Sequence, residues 1–301
     1  MDPGAFHVIN FRYHLVSIAA IFLSLAAGVA LGSGPLDNAK NIIGDSDNSS
    51  ATTEKNDLAG FESAYANKTG SSLVDGKLKG QSVVVFTLPG ARADQVQGLT
   101  SAMTSGGAKV TGEVALSSKL LDSTSRQFAE GVTQQAAKGV KGVATTGDSY
   151  LRIGSALGRA YLAKKTTKVD APASTIGSAF AEGDLISVPT KPSDRATIAL
   201  VVAGPGSADG NQGQGDIIAQ MTVGFDAQSR GVLLAGPSAS SEDGGFLQVL
   251  RSSDTASQVS SIDVTDSAAG RLIAVLVAAR EIGDNSGSFG TARSADGPIP
   301  N

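Results

Sequence analysis

The sequence has no cysteine and only two histidines, His7 and His14, and both precede its one long apolar run. Without thiols, disulfides, thiolate chemistry and zinc–thiolate sites are excluded. With both histidines before residue 15, neither Ser–His machinery nor a metal–imidazole site can form in the rest of the chain. Copper(I) selects thiolate, thioether or imidazole ligands, and beyond the run only Met103 and Met221 offer a thioether. Two isolated methionines fit gap-filling in a core better than a metal site. Charge is sparse as well. Charged residues make up 17% of the chain, the net charge is −4, and no basic stripe appears along it, so nucleic acid is not an expected partner. The carboxylates Glu242 with Asp243 and Asp263 with Asp266 suit solvated loops and helix caps, with Asp266 placed to cap the last helix. No catalytic residue, cofactor or metal ligand set is expected, and the chain is not expected to be an enzyme.

What the sequence does have is Leu15 to Gly34, LVSIAAIFLSLAAGVALGSG. From Tyr13 to Leu36 there is no Asp, Glu, Lys or Arg. As a helix that span measures roughly 36 Å, against roughly 30 Å for a bilayer core. A cleaved leader has an apolar core of only about 7–15 residues, so an uncleaved anchor over residues 13–36 is the expectation. Arg12 is the only Lys or Arg before the run, which places residues 1–12 in the cytoplasm and everything after Leu36 outside. Phe11, Arg12, Tyr13 and His14 serve either as a topology and headgroup anchor or as a docking point for a cytoplasmic partner. Ala20, Ser24, Gly28 and Gly32 fall four apart on one helix face. That spacing permits close helix packing, and hence a homo-oligomer or hetero-complex through the anchor, although a Gly-rich composition would also produce it.

Residues 37–80 form a polar spacer: Asp37 to Asp57 suits a flexible linker, and Leu58, Phe61 and Tyr65 mark a short helical stalk ended by Gly70 to Gly80. Residues 81–283 then alternate short apolar runs with helical patterns. Strands are expected at Val83–Leu88, Lys109–Ala115, Ile198–Ala203 and Val232–Ala235. Helices are expected at Asp94–Ser105, Thr124–Lys138, Tyr150–Lys164 and Ala268–Ile282, with another beginning near Asp216. Continuous apolar strands between helices predict a three-layer, mostly parallel, Rossmann-like α/β domain, extracytoplasmic and tethered by the single N-terminal transmembrane helix. Whether its strands form one sheet or two stays open. The strands are too short and too uniformly apolar for a transmembrane barrel. Residues 284–301 are expected to be a flexible tail. The loop Gly204, Gly206, Ser207 and Asp209 follows a strand and precedes a helix, as a phosphate cradle would, but Asp209 stands where the third glycine belongs.

The segments Asn10–Ile18 (NFRYHLVSI), Val84–Ala91 (VVFTLPGA), Gly107–Gly112 (GAKVTG) and the strand end at Val202–Pro205 carry a resemblance. They resemble the actinobacterial copper-transporter family named for the mycobacterial copper transport protein B, over nearly the whole chain. The first eight or so residues look like an extension before the family's usual start. The resemblance implies two functions. One is copper efflux by a pore-forming component of the outer envelope. The other, from corynebacterial (SteB-like) members, is a bitopic scaffold or regulator of cell separation. That protein works with a cytoplasmic-side membrane division partner and an outer peptidoglycan-hydrolase system. Copper as a ligand follows from the family name alone.

The anchor expectation is checked by the intact mass and N-terminal sequence of membrane-extracted protein. Phe11 to Gly34 should be retained, and a mature chain starting near Ser33 would show the run to be a leader.

Overall fold

A computed structural model describes residues 46–206, 212–283 and 285–300. The expected anchor, Phe11 to His14, and Ala20, Ser24, Gly28 and Gly32 lie outside the described residues. Among the described residues no helix is long and apolar enough to cross a membrane. The chain divides into two units, residues 1–61 and 62–301.

In chain order the elements are α1 (Ser46–Val74), β1 (Ser82–Thr87), α2 (Ala93–Ser105), β2 (Lys109–Leu116), α3 (Arg126–Ala136), α4 (Ser149–Tyr161), α5 (Ala171–Glu182) and β3 (Ile186–Thr190). They continue with β4 (Ile198–Val202), α6 (Gln212–Gln228), β5 (Gly231–Ala235), α7 (Phe246–Ser252), β6 (Ser260–Ile262), α8 (Ala268–Glu281) and β7 (Ser288–Phe289). All seven strands join one sheet in the order β3-β2-β1-β4-β5-β6-β7, which settles the question of one sheet or two. Every pairing is parallel except β2 with β3.

Strand periodicity explains the layers. Val84 and Phe86 of β1, Ala199 and Val201 of β4, and Val232 and Leu234 of β5 face one core, under α3 to α7. Their sequence neighbours Val83, Val85, Ile198, Leu200, Leu233 and Ala235 face the other, under α2 and α8. Both faces are covered, so these strands must be apolar at every position, and each fully buried Val or Leu contributes about 1.5–3 kcal/mol. On the first face Phe86 stacks on Phe225 at 4.5 Å between ring centroids and meets Tyr161 edge-on at 6.1 Å.

Local signals fix the helix starts. Asp148 accepts from the Tyr150 amide at 2.7 Å to begin α4, Asp170 accepts from Ala173 at 2.9 Å to begin α5, and Ser267 accepts from Gly270 at 2.9 Å to begin α8. Asp266 is therefore not the cap of the last helix. The α4–α6 crossing depends on glycine: a Cβ on Gly154 would lie 2.3 Å from the Met221 carbonyl oxygen, and one on Gly224 would lie 2.4 Å from the Ser155 nitrogen.

Several expectations are corrected. The helix α1 runs Ser46–Val74, so this stretch is not a flexible linker with a short stalk, and Gly70 does not end it. Gly70 is a packing glycine: a Cβ there would meet Leu272 of α8 at 2.0 Å. Helix α6 begins at Gln212 rather than near Asp216. Helix α5 and strands β3, β6 and β7 had no counterpart in the sequence pattern. β3 carries Pro189 and is largely exposed, while β6 (SSI) and β7 (SF) are too short and polar to stand out.

Residues 285–300 are not a free tail. Asp263 is fully buried rather than solvated, and Arg251 donates to it at 2.6 Å, to Ser261 Oγ at 2.9 Å and to the Phe289 carbonyl at 2.9 Å. The Thr291 amide donates to the other oxygen of Asp263 at 2.8 Å. Gly290, at φ +131°, leaves the room this carboxylate occupies. One buried ion pair thus fixes the C-terminal segment to the edge of the sheet.

Gly154→Ala is expected to destabilise the protein by about 1–3 kcal/mol through overpacking against α6, while Gly131→Ala, where a Cβ meets nothing within 4 Å, should stabilise by about 0.5–1 kcal/mol. Thermal melts of the two variants check both signs. Asp263→Ala should cost about 3–5 kcal/mol, because it strands a buried guanidinium.

Candidate functional site

In an open α/β sheet the ligand position is the crevice beyond the carboxyl ends of the strands, where the strand order reverses. Here that point lies between β1 and β4, since β1 leads outward to β2 on one side and β4 to β5 on the other. Two turns meet there. Leu88–Ala91 leaves β1 with Gly90 at φ +85°, and Ala203–Gly206 leaves β4 with Gly206 at φ +110°. They touch so closely that a Cβ on Gly204 would sit 2.4 Å from the Gly90 carbonyl group.

A cleft of about 250 Å³ opens at this end, lined by Arg92, Asp94, Gln95, Thr265, Asp266 and Arg271 together with the loop prolines. Its polar groups are paired with one another. Gln95, on the first turn of α2, is buried, and its Nε2 donates to Thr265 Oγ1 at 2.7 Å and to the Ala203 carbonyl at 3.2 Å. Arg92 and Asp94 form an ion pair at the α2 N-terminus; the guanidinium hydrogen bond holds the Asp94 carboxyl below its usual range and raises Arg92 in turn. Asp94 lies in the first turn of α2, where the helix N-terminus favours a negative charge. Arg271 Nη1 donates to the Thr265 and Asp266 carbonyls at 3.0 and 3.4 Å, and Ser238 Oγ donates to the Asp266 carboxylate at 2.6 Å. The amide side chain of Gln95 occupies the switch point itself.

Of the candidate loop, Gly204 and Gly206 reach this crevice, while Ser207 and Asp209 lie outside the described residues. The residues sequence reasoning missed are Arg92, Gln95, Thr265 and Arg271. The Leu88–Pro89–Gly90 turn after the first apolar strand was the available signal, because a first βα turn adjoins the switch point in this topology. Among the described residues no three carboxylate or imidazole groups are arranged to hold a metal ion. The Met103 and Met221 side chains are fully buried in the two cores. A larger cleft, about 620 Å³, lies elsewhere, between α3 and the start of α4, over Val140, Val143 and Ile153.

Topology and crevice together define the class: a doubly wound, mostly parallel α/β domain with a small polar cleft at its switch point. The chain belongs to the family described as copper transport outer membrane protein, MctB, whose pattern matches residues 8–300. It is 28% identical over 317 aligned positions to proteins named copper transporter MctB from Mycobacterium tuberculosis, Mycobacterium bovis and Mycobacterium leprae, spanning 96% of this chain and 98% of each relative.

Gln95→Leu keeps the volume but leaves the Ala203 carbonyl and the Thr265 hydroxyl without the amide donor. A loss of about 1–3 kcal/mol is expected, measured as a lower denaturant midpoint with an unchanged slope.

Proposed function

We propose that this protein is a non-enzymatic component of the cell envelope that acts by contact with other macromolecules. In this reading residues 13–36 anchor it in the cell membrane, residues 1–12 face the cytoplasm, and the α/β domain stands outside. It serves there as a scaffold or regulator of cell separation, between a cytoplasmic-side membrane partner and an outer peptidoglycan-hydrolase system. The observation that supports the non-enzymatic part is the crevice between β1 and β4, where Gln95 is bonded to Thr265 and the Ala203 carbonyl, Arg92 pairs with Asp94, and Arg271 is bonded to the Thr265 carbonyl.

A copper-related role is favoured by one specific finding, the family's description and the relatives' names. It is the second reading. A direct copper(I) site within the described domain would need side chains other than its two methionines, which the cores enclose.

Co-purification of intact protein with a cytoplasmic-side partner is expected, and Arg12→Ala or Gly28→Leu should reduce it. Undiminished recovery with both variants would refute the anchor-mediated contact. For the copper reading, deletion should raise cellular copper and purified protein should conduct ions across a planar bilayer; normal copper and a silent bilayer would remove it.

A further inference from the structure

Stretches far apart in the sequence meet where the parallel strands begin. Strands β1 and β2 start level, with Ser82 opposite Lys109, and β4 joins with Ile198 opposite Val83. The turn before β1 is held to this edge by the Leu78 amide, which donates to the Gly106 carbonyl at 2.7 Å, and by the Lys109 amide, which donates to Gln81 at 3.0 Å. Residues 162–168 cross beneath the strands: Leu162 bridges to Ala196, Thr167 to Arg195, and the Thr166 hydroxyl lies 2.6 Å from that of Ser82. Lys164 Nζ donates to the Asp226 carbonyl at 3.0 Å, which ties in the end of α6.

The result is a lysine edge. Lys77, Lys79, Lys109, Lys164, Lys165 and Lys168 are all exposed along it. Three carboxylates accompany these six lysines. Asp194 is shared by Lys109 at 2.5 Å and Lys168 at 3.0 Å, which hold its carboxyl well below the usual range. Asp226 has interactions of its own, and Asp75 is exposed. Nearby Asp170 is taken by Arg159 and Arg195. A surplus of three positive charges therefore gathers on one edge of a chain whose net charge is −4.

We propose that this edge binds a linear polyanion, a polymer carrying repeated phosphate or carboxylate groups. The side-chain chemistry selects that partner over others. Lysine is depleted at protein–protein interfaces, and among the described residues only Leu73, of the exposed large apolar side chains, borders this edge. Among the described residues no exposed aromatic ring lies among the lysines to stack on a base, as single-stranded nucleic acids require. Ammonium groups on flexible stems act as point charges, suited to tracking a mobile anionic chain without a fixed geometry. Some of this charge also offsets the negative C-terminal ends of α2, α4 and α6, and that purely structural role predicts a different outcome below.

The test uses the full chain in uncharged detergent with fluorescein-labelled linear polyphosphate, read by anisotropy against salt. With about four lysines engaged, a log–log slope near −3 is expected, or ~30-fold weaker binding for a threefold rise in salt. Lys77→Gln/Lys79→Gln/Lys165→Gln should weaken binding by roughly tenfold or more and flatten the slope, with the melting temperature unchanged. Lys138→Gln/Lys141→Gln, at the separate α3–α4 cleft, should bind like the parent. The proposal is overturned if the triple variant binds like the parent, whether or not its melting temperature falls. It is overturned equally if the control pair loses as much. Binding to phosphatidylglycerol vesicles without binding to polyphosphate would reassign the edge to a lipid surface.

Discussion

The structure depends on the burial of β1 on both faces. Ser82 to Thr87 is buried throughout, flanked by parallel β2 and β4, so helices must cover it on two sides and every neighbouring strand must arrive by a crossover. Alternating side chains commit Val84 and Phe86 to one core and Val83 and Val85 to the other. A one-residue slip would exchange these sets and place Phe86 against the wrong helices. The three layers and the parallel neighbours on both sides follow from the burial of this single strand.

Around it the domain spends its polar groups on itself. Gln95 joins the β4 and β6 ends across the switch point, and Arg251 with Asp263 fixes the last strand to the sheet. A buried ion pair contributes little net stability when intact and costs much when broken. Its evident effect here is to specify where residues 288–292 lie. At the opposite edge Asp194 is shared by two lysines, and charge is left over. The two ends of one sheet thus differ in kind, one internally paired and one with excess positive charge.

That difference bears on the envelope role. A family described by copper transport suggests a metal site, yet the described domain keeps its two methionines in its cores and pairs the residues of its crevice. The exposed charge it does carry includes the lysine edge.

The sequence by itself determined the α/β class, the four principal strands and most of the helices flanking them, because strands buried on both faces must be continuously apolar and amphipathic helices must be periodic. It also excluded thiol and imidazole chemistry from the domain, since composition alone decides that. It could not yield β3, β6 and β7, whose few exposed or polar residues become strands only through the partners beside them. Asp263 looked solvated because its burial depends on Arg251 and Gly290, which arrive from other segments. The basic edge was invisible for the same reason: lysines 77 to 168 are dispersed along the chain, and only the common starting line of parallel strands brings them together. Patterns set by neighbours in sequence were legible, and juxtapositions set by crossover connections were decided by the tertiary structure.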